Sequence, residues 1–170
     1  DYRSVERTFQ LITQVAGRAG RADFPGKVIV QTYEPDNYGI RLAARQDYRA
    51  FYFEEERVRR RALYPPFTVL ARLLVSSKDG EKAKSTAEAL EKRLGALFEE
   101  NPALRRDVVQ YRALEAPIRL LRGEVRYMVF IKMYARGASD EIVSRMEEME
   151  AQEFEEGVRV ELEVNPASMM

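Results

Sequence analysis

One short segment of the chain combines residue types and spacing that could do phosphate chemistry: the octet QVAGRAGR, from Gln14 to Arg21. Its form is Q-x-x-G-R-x-G-R, which places the guanidiniums of Arg18 and Arg21 three residues apart. A guanidinium suits phosphate because its donors form a rigid fork and its charge is permanent. Arginines held against a γ-phosphate stabilise the charge of phosphoryl transfer. Gly17 and Gly20 would allow close backbone approach to a ligand.

The non-functional interpretation of this octet is a glycine-rich surface turn with two solvated arginines. The preceding residues favour a functional role, because their apolar positions follow a helical period. A helix would therefore present the octet at its carboxyl end. The apolar positions are Val5, Phe9, Ile12 and Ala16.

A second group of basic residues lies on and around a predicted β-hairpin with Gly123 in its turn. Basic hairpins suit contacts to DNA phosphates, which give affinity without sequence information. The alternative is a solvated sheet edge protected by charge. The candidate DNA contacts are Arg119, Arg122, Arg126 and Lys132, with Arg136 nearby.

A third group interleaves aromatic and basic residues between Tyr48 and Arg61. Such a pattern can stack bases and hold phosphates. The favoured interpretation is instead a helix whose aromatic side chains dock on a sheet and whose arginines pair with Glu54, Glu55 and Glu56. The favourable i,i+4 order of Glu55 with Arg59 supports that pairing.

The composition excludes several classes of protein. The 170 residues are 45% apolar and contain neither cysteine nor histidine, which excludes disulfides and thiolate or imidazole metal sites. No apolar run is long enough to cross a membrane, and we expect a bacterial cytoplasmic location. The net charge is zero, yet residues 105–136 carry a net +5 and residues 137–170 a net −8. The chain begins with Asp1, and we expect it to be a piece of a longer protein.

The first part of the chain is predicted to end at the Tyr64-Pro65-Pro66-Phe67 boundary, because two prolines stiffen the chain and stop a helix. Before it, Lys27–Tyr33 is rich in β-branched residues and predicts a strand. Helix formers dominate from Asp36 to Ala62, in one helix or in two that divide around Gln46–Asp47.

Beyond the prolines the pattern predicts the order β-α-β-β-α-β, that of a ferredoxin-like split βαβ domain. Two helices would cover one face of a four-stranded antiparallel sheet. Ser139 is predicted to cap the second helix, and Ala116-Pro117 to break the chain after the second strand. The predicted strands are Phe67–Ser76, Val108–Leu114, Val125–Tyr134 and residues 158–164, and the helices are Glu81–Glu100 and Asp140–Phe154.

The octet resembles motif VI of superfamily 2 helicases, although the usual RNA-helicase form begins with His where this chain has Gln14. Together with the preceding ERTFQLIT it resembles the replication-restart (primosomal) DNA helicases of that superfamily, as do KVIVQTYEP, YPPF and RGEVRY. The similarity is strong over residues 6–67 and looser beyond. It implies that residues 1–63 end the second RecA-like helicase domain with its linking helices, and that residues 64–170 form a domain like ribosomal protein S10.

The resemblance also implies a function. The family comprises ATP-dependent 3′-to-5′ DNA helicases that restart stalled replication forks and assemble the primosome. By resemblance, Gln14, Arg18 and Arg21 would act in catalysis, and Gly17, Arg18, Gly20 and Arg21 would lie on the phosphate side of ATP. The implied partners are forked and single-stranded DNA, single-strand-binding protein and other primosome proteins. The implied cofactors of the longer protein are ATP, Mg²⁺ and zinc.

The chain lacks the other parts of such an enzyme. It contains no G-x-x-x-x-G-K-[ST] loop, no DExH motif and no zinc-binding cysteines. We therefore expect it to bind no cofactor and to hydrolyse no ATP by itself. Two alternatives stay open: a non-catalytic nucleic-acid- or protein-binding module with an S10-like fold, and an unrelated superfamily 2 translocase that shares only motif VI.

Overall fold

The computed structural model describes residues 2–19 and 26–166. The chain forms two compact units, residues 1–62 and residues 63–170. The division lies beside Tyr64 of the proline boundary. The assignment of the first unit to a RecA-like domain stays a prediction.

The first unit contains three helices, α1 (Ser4–Ala16), α2 (Tyr38–Ala44) and α3 (Tyr48–Arg61). The two later helices, α2 and α3, each begin at a residue whose side chain caps the helix. Asn37 accepts a hydrogen bond from the N–H of Gly39 at 2.9 Å, and Asp47 accepts one from the N–H of Ala50 at 2.9 Å. Such caps satisfy donors that a helix start leaves unpaired. The chain therefore forms two helices on either side of Gln46–Asp47.

The second unit confirms the predicted β-α-β-β-α-β order and the α+β class. Its four strands form one antiparallel sheet with the spatial order β2-β3-β1-β4. β1 and β3 are thus central, and β2 and β4 are edge strands. The elements are β1 (Thr68–Ser77), α4 (Gly80–Glu100), a short α5 (Pro102–Arg105), β2 (Val108–Leu121), β3 (Glu124–Tyr134), α6 (Gly137–Glu150) and β4 (Val158–Val164).

The core of the second unit lies between the sheet and its helices. Alternate residues of β1 and β3 face α4 and α6, as the period-2 geometry of a strand requires. Leu73 and Ile131 of the sheet and Leu94 and Met146 of the helices are fully buried there. Leu74, Ala116 and Met128 form a separate, smaller buried cluster.

Three sequence predictions for element bounds were wrong. Lys27–Tyr33 is not a strand: no described residue pairs with it, and Ile29 and Tyr33 are exposed. Since a strand needs a neighbour for its backbone groups, β-propensity alone does not form one.

The second correction concerns the bounds of α6 and its predicted cap at Ser139. α6 begins at Gly137 and ends at Glu150, so Ser139 lies inside the helix, where its Oγ donates to the carbonyl of Arg136 at 2.6 Å.

The third correction concerns Ala116-Pro117. β2 continues through this dipeptide to Leu121, with a register shift against β3 between Glu115 and Leu120. Ala116 is buried against Leu74 and Met128. Proline is tolerated because β2 is an edge strand and the missing N–H removes no essential pairing. The predicted break is therefore a bulge.

Candidate functional site

The predicted phosphate-binding segment begins on α1 and leaves it at the carboxyl end. Gln14 lies in the last turn, and Arg18 lies in the turn that follows Gly17. The N–H of Arg18 donates to the carbonyl of Val15 at 3.1 Å, which continues the helical path. Gln14 and Arg18 are both exposed, and their i,i+4 spacing puts them on one side of the helix. Gly20 and Arg21 lie outside the described residues.

Gly17 does not need to be glycine for its own backbone. Its φ is −65°, in the ordinary right-handed region. A Cβ placed there would lie 3.5 Å from the carbonyl oxygen of Thr13, an ordinary contact. The local fold therefore leaves room for a small side chain at Gly17, and any need for glycine would come from a ligand or neighbour.

An apolar face fixes α1 against the other two helices. Phe9 stacks on Phe51 of α3 with ring centroids 4.0 Å apart, and Ala43 of α2 completes the buried cluster. Val5 and Ile12 pack against the same cluster. Three of the four residues of the predicted apolar face thus make the contact that positions Gln14 and Arg18.

A partly buried polar network makes a second contact between α1 and α3. Arg59 of α3 donates to Glu6 of α1 at 2.8 Å and to Glu55 of α3 at 2.7 Å. The hydroxyl of Tyr38 donates to Glu55 as well. Burial, and then this hydrogen bond to Glu55, raises the pKa of Tyr38. The Glu55–Arg59 pair was predicted from spacing, but the pair with Glu6 was not, because nothing local links residues so distant in sequence.

The aromatic residues of α3 divide into one buried and three exposed. Phe51 is buried against Phe9, whereas Tyr48, Tyr52 and Phe53 are exposed. The interpretation that these aromatics dock on a sheet was wrong, because Phe51 packs between helices. The arginine part of that interpretation was correct, because Arg57 forms an ion pair with Glu54 and Arg60 forms one with Glu56.

Of the candidate DNA contacts, Arg122 and Arg126 line one groove, whereas Lys132 lies apart from them. Arg122 and Gly123 form the turn between β2 and β3, with φ of 54° and 81°, and Arg119 lies beside it. Arg126 lies further along β3, in a groove below the hairpin. Lys132 lies six residues beyond Arg126, roughly 20 Å along the strand. Its ammonium is 4.6 Å from the ring centroid of Tyr64, and burial lowers its pKa.

The groove below the hairpin has a volume of about 460 Å³ and a mixed charge. Arg159 of β4, which the sequence pattern did not single out, forms an ion pair with Glu124 across it. The register explains the meeting, since β3 and β4 both flank β1. The charged residues that line the groove are Arg122, Arg126, Arg159, Glu124, Glu161 and Glu163.

The described residues, 2–19 and 26–166, contain neither a metal-binding cluster nor a membrane-spanning helix. Within those residues, no group of three or more carboxylate, imidazole or thiol side chains lies close enough together to hold a metal ion. In the same part of the chain, no helix has the length and apolar character needed to cross a membrane.

The relatives found by comparison with known proteins all carry the same protein name. No protein-family model matches the chain. Over its whole length the chain is 37% identical to the replication restart protein PriA of Bacillus subtilis strain 168 and 33% identical to that of Treponema pallidum strain Nichols. Over 90 residues it is 44% identical to the PriA of Thermotoga maritima. The match lies in the C-terminal portion of these relatives, and the chain spans only 20% of the Bacillus protein and 25% of the Treponema protein.

Proposed function

The chain belongs to the family of the PriA replication restart proteins, and we propose that it is the C-terminal part of an ATP-dependent 3′-to-5′ DNA helicase that restarts stalled replication forks. Its first unit would supply arginines to the ATPase site. Its second unit would contact DNA or a primosome protein. The single observation that carries this proposal is a similarity that extends over both units of the chain.

The geometry of α1 supports the role of the arginines. Gln14 and Arg18 are exposed on one side of a helix end that Phe9 and Glu6 fasten to α3. A positioned guanidinium can stabilise phosphoryl-transfer charge without any proton transfer. Arg21 belongs to the same proposal by its place in the sequence.

The donor chemistry of the chain limits which cofactors it could hold. Arg18 suits an ATP phosphate, and this contribution would be completed by a phosphate-cradling loop elsewhere in the longer protein. Zinc held by cysteine or histidine could not be bound by this chain, which contains neither. We therefore propose that zinc in the longer protein is held by residues outside these 170, and Mg²⁺ as well, because this chain has no DExH motif to supply its carboxylate ligand.

For the second unit, the position of the hairpin arginines supports DNA contact. Arg119 and Arg122 are exposed at the tip, and Arg126 lines the groove beside it. Lys132 is the weaker candidate, because it is partly buried beside Tyr64. Forked and single-stranded DNA, single-strand-binding protein and other primosome proteins are the partners proposed for the longer protein.

The proposal is tested with the intact protein that carries this chain. We expect DNA-stimulated ATP hydrolysis and unwinding of a forked duplex that has a 3′ single-stranded tail to load on. A substrate with only a 5′ tail is the control for direction. An intact, folded protein that neither hydrolyses ATP in the presence of DNA nor unwinds the 3′-tailed substrate would contradict the helicase assignment.

A second candidate function is a non-catalytic nucleic-acid- or protein-binding module. The separate core of the second unit favours it, because sixteen buried residues of that unit form one cluster of their own. Binding of forked DNA by the 170-residue chain, with no ATP hydrolysis by the intact protein, would select this alternative.

A further inference from the structure

The tip of the β2–β3 hairpin is apolar as well as basic. All seven residues from Pro117 to Gly123 are exposed. Among them, Ile118, Leu120 and Leu121 are 44%, 64% and 45% exposed. Turns and loop tips are normally built from glycine, proline and small polar residues. Three branched aliphatic side chains within four residues indicate a surface that meets an apolar partner.

The hairpin is built to hold these side chains outward. Two residues with positive φ, Arg122 and Gly123, make a two-residue turn of the kind that matches the twist of the strands. Leu121 pairs with Glu124 and Leu120 with Val125 directly behind the turn. The leucines are therefore carried on a paired ribbon and not on a loose loop, with Leu120 on the same face as Val125 and Leu121 on the same face as Glu124.

The bulge anchors the base of this ribbon. Between Glu115 and Leu120 the register against β3 shifts, so β2 contains extra residues there. Ala116, the first of them, is buried against Leu74 and Met128. Residues 117–119 follow the anchor and are exposed. A bulge typically redirects side chains and strengthens the local twist, and here it sets the start of the exposed tip.

The chemistry of the tip limits what it can contact. Arg119 and Arg122 alternate with the aliphatic residues, and they carry the charge that complements phosphate. Along a DNA duplex the base faces are stacked and hidden, whereas at a junction the terminal base pair exposes one face. Aliphatic side chains are known wedges against unstacked base steps. A partner with phosphates around one exposed apolar face fits both residue types.

We propose that the ribbon tip, with Leu120 on one face and Leu121 on the other, is a wedge at a DNA fork junction where one of these leucines packs on the terminal base pair, while Arg119 and Arg122 hold the flanking phosphates. This inference rests on the proposed function, since it specifies which DNA structure the hairpin reads. The arginines give affinity for any DNA, and the leucines give the preference for a junction.

The test measures binding of the purified 170-residue chain by fluorescence anisotropy. The probes are a forked DNA with 2-aminopurine at the first base pair of the junction and an uninterrupted duplex of the same sequence, with closed hairpin ends. The wild-type chain should prefer the fork by on the order of tenfold, the factor expected when leucine side chains become partly buried. 2-Aminopurine fluorescence should change on binding.

Three variants separate the contributions. Leu120→Ser with Leu121→Ser should lose the fork preference and the fluorescence change while keeping duplex affinity. Arg119→Gln with Arg122→Gln should weaken binding to both DNAs. Leu11→Ser is the matched control, because Leu11 is 62% exposed but lies on α1. Thermal unfolding of each variant checks the fold, and Leu120→Ala gives a milder version of the same change.

The outcomes distinguish the two proposals. A leucine variant that keeps the full fork preference, or that loses fork and duplex affinity equally, overturns the wedge. Arginine variants that bind both DNAs like the wild type overturn DNA contact by the hairpin itself. A wild-type chain without fork preference, whose self-association depends on the leucines, would make the tip a protein contact and overturn the wedge.

Discussion

The guanidinium of Arg59, on α3, lies 2.8 Å from the carboxylate of Glu6, on α1, across 53 residues of sequence. The same guanidinium contacts Glu55, one turn earlier on its own helix. This ion pair joins α1 to α3 at a second point besides the Phe9–Phe51 stack. Since α1 ends beside Arg18, the ion pair helps to set where the proposed phosphate-binding arginines point.

Replacing Arg59 by Met should destabilise the first unit by about 1–3 kcal/mol, because the buried carboxylate of Glu55 would lose a charged donor. Arg60→Met is the matched control: it also follows a glutamate by four residues, but its side chain is 64% exposed against 15% for Arg59. The control should change stability by no more than about 0.5 kcal/mol. Urea denaturation followed by circular dichroism measures both, and equal effects would contradict the assigned role.

Gly39→Ala should also destabilise the packing of α1 on α2. A Cβ on Gly39 would lie 2.5 Å from Cγ1 of Val5, so the Val5 side chain or one of the two helices must shift. Overpacking of this kind costs about 1–3 kcal/mol. Gly137→Ala is the control, since no atom lies within 4 Å of the added carbon. Thermal unfolding of the two variants should show a lowered midpoint for the first alone.

The 170-residue chain by itself should hydrolyse no ATP. The reason is chemical: it has no glycine-rich loop followed by Lys and Ser or Thr to hold the phosphates. A coupled ATPase assay with forked DNA gives the measurement. Turnover above the protein-free rate that persists through repeated purification would show that the expectation is wrong.

In the intact protein, Arg21→Ala should lower kcat far more than it weakens ATP binding. An arginine that acts on the transferring phosphoryl group contributes about 10³–10⁵ in rate. Arg18→Ala should act in the same direction, and Arg45→Ala, exposed after α2, serves as the control. The measurement is DNA-stimulated ATP turnover over a range of ATP concentrations. Unchanged turnover in both motif variants would show that the octet is only a surface turn with solvated arginines.

DNA binding by the hairpin should weaken steeply with salt. Each phosphate contact on a duplex contributes a log–log slope of roughly −0.9. Removing Arg122 and Arg126 together should therefore flatten the slope by about two units. Lys132→Gln should leave the slope nearly unchanged, because that ammonium is held near the Tyr64 ring. Anisotropy titrations at several salt concentrations check this, and a wild-type slope in the double variant would identify a merely charged sheet edge.

Local sequence patterns were enough to predict the order of the elements in the second unit. Periods of two and 3.6 residues are local properties, so alternation at Val158, Val160 and Leu162 and the helical spacing of Leu90 and Leu94 could be read directly. The turn at Gly123 and the boundary at Pro65-Pro66 could also be predicted, because glycine and proline act on the backbone at their own positions. The octet from Gln14 to Arg21 was identified by residue type and spacing alone.

Features that need a contact with a residue distant in sequence could be seen only in the folded chain. Lys27–Tyr33 has strand-forming residues, yet only a neighbouring strand could have paired their backbone groups. Ala116-Pro117 became a bulge because Leu74 and Met128 bury Ala116. The Arg59–Glu6 pair and the meeting of Arg159 with Glu124 also needed the folded chain. Local pattern specifies each element, but contacts across the fold decide which side chains come together and which stay exposed.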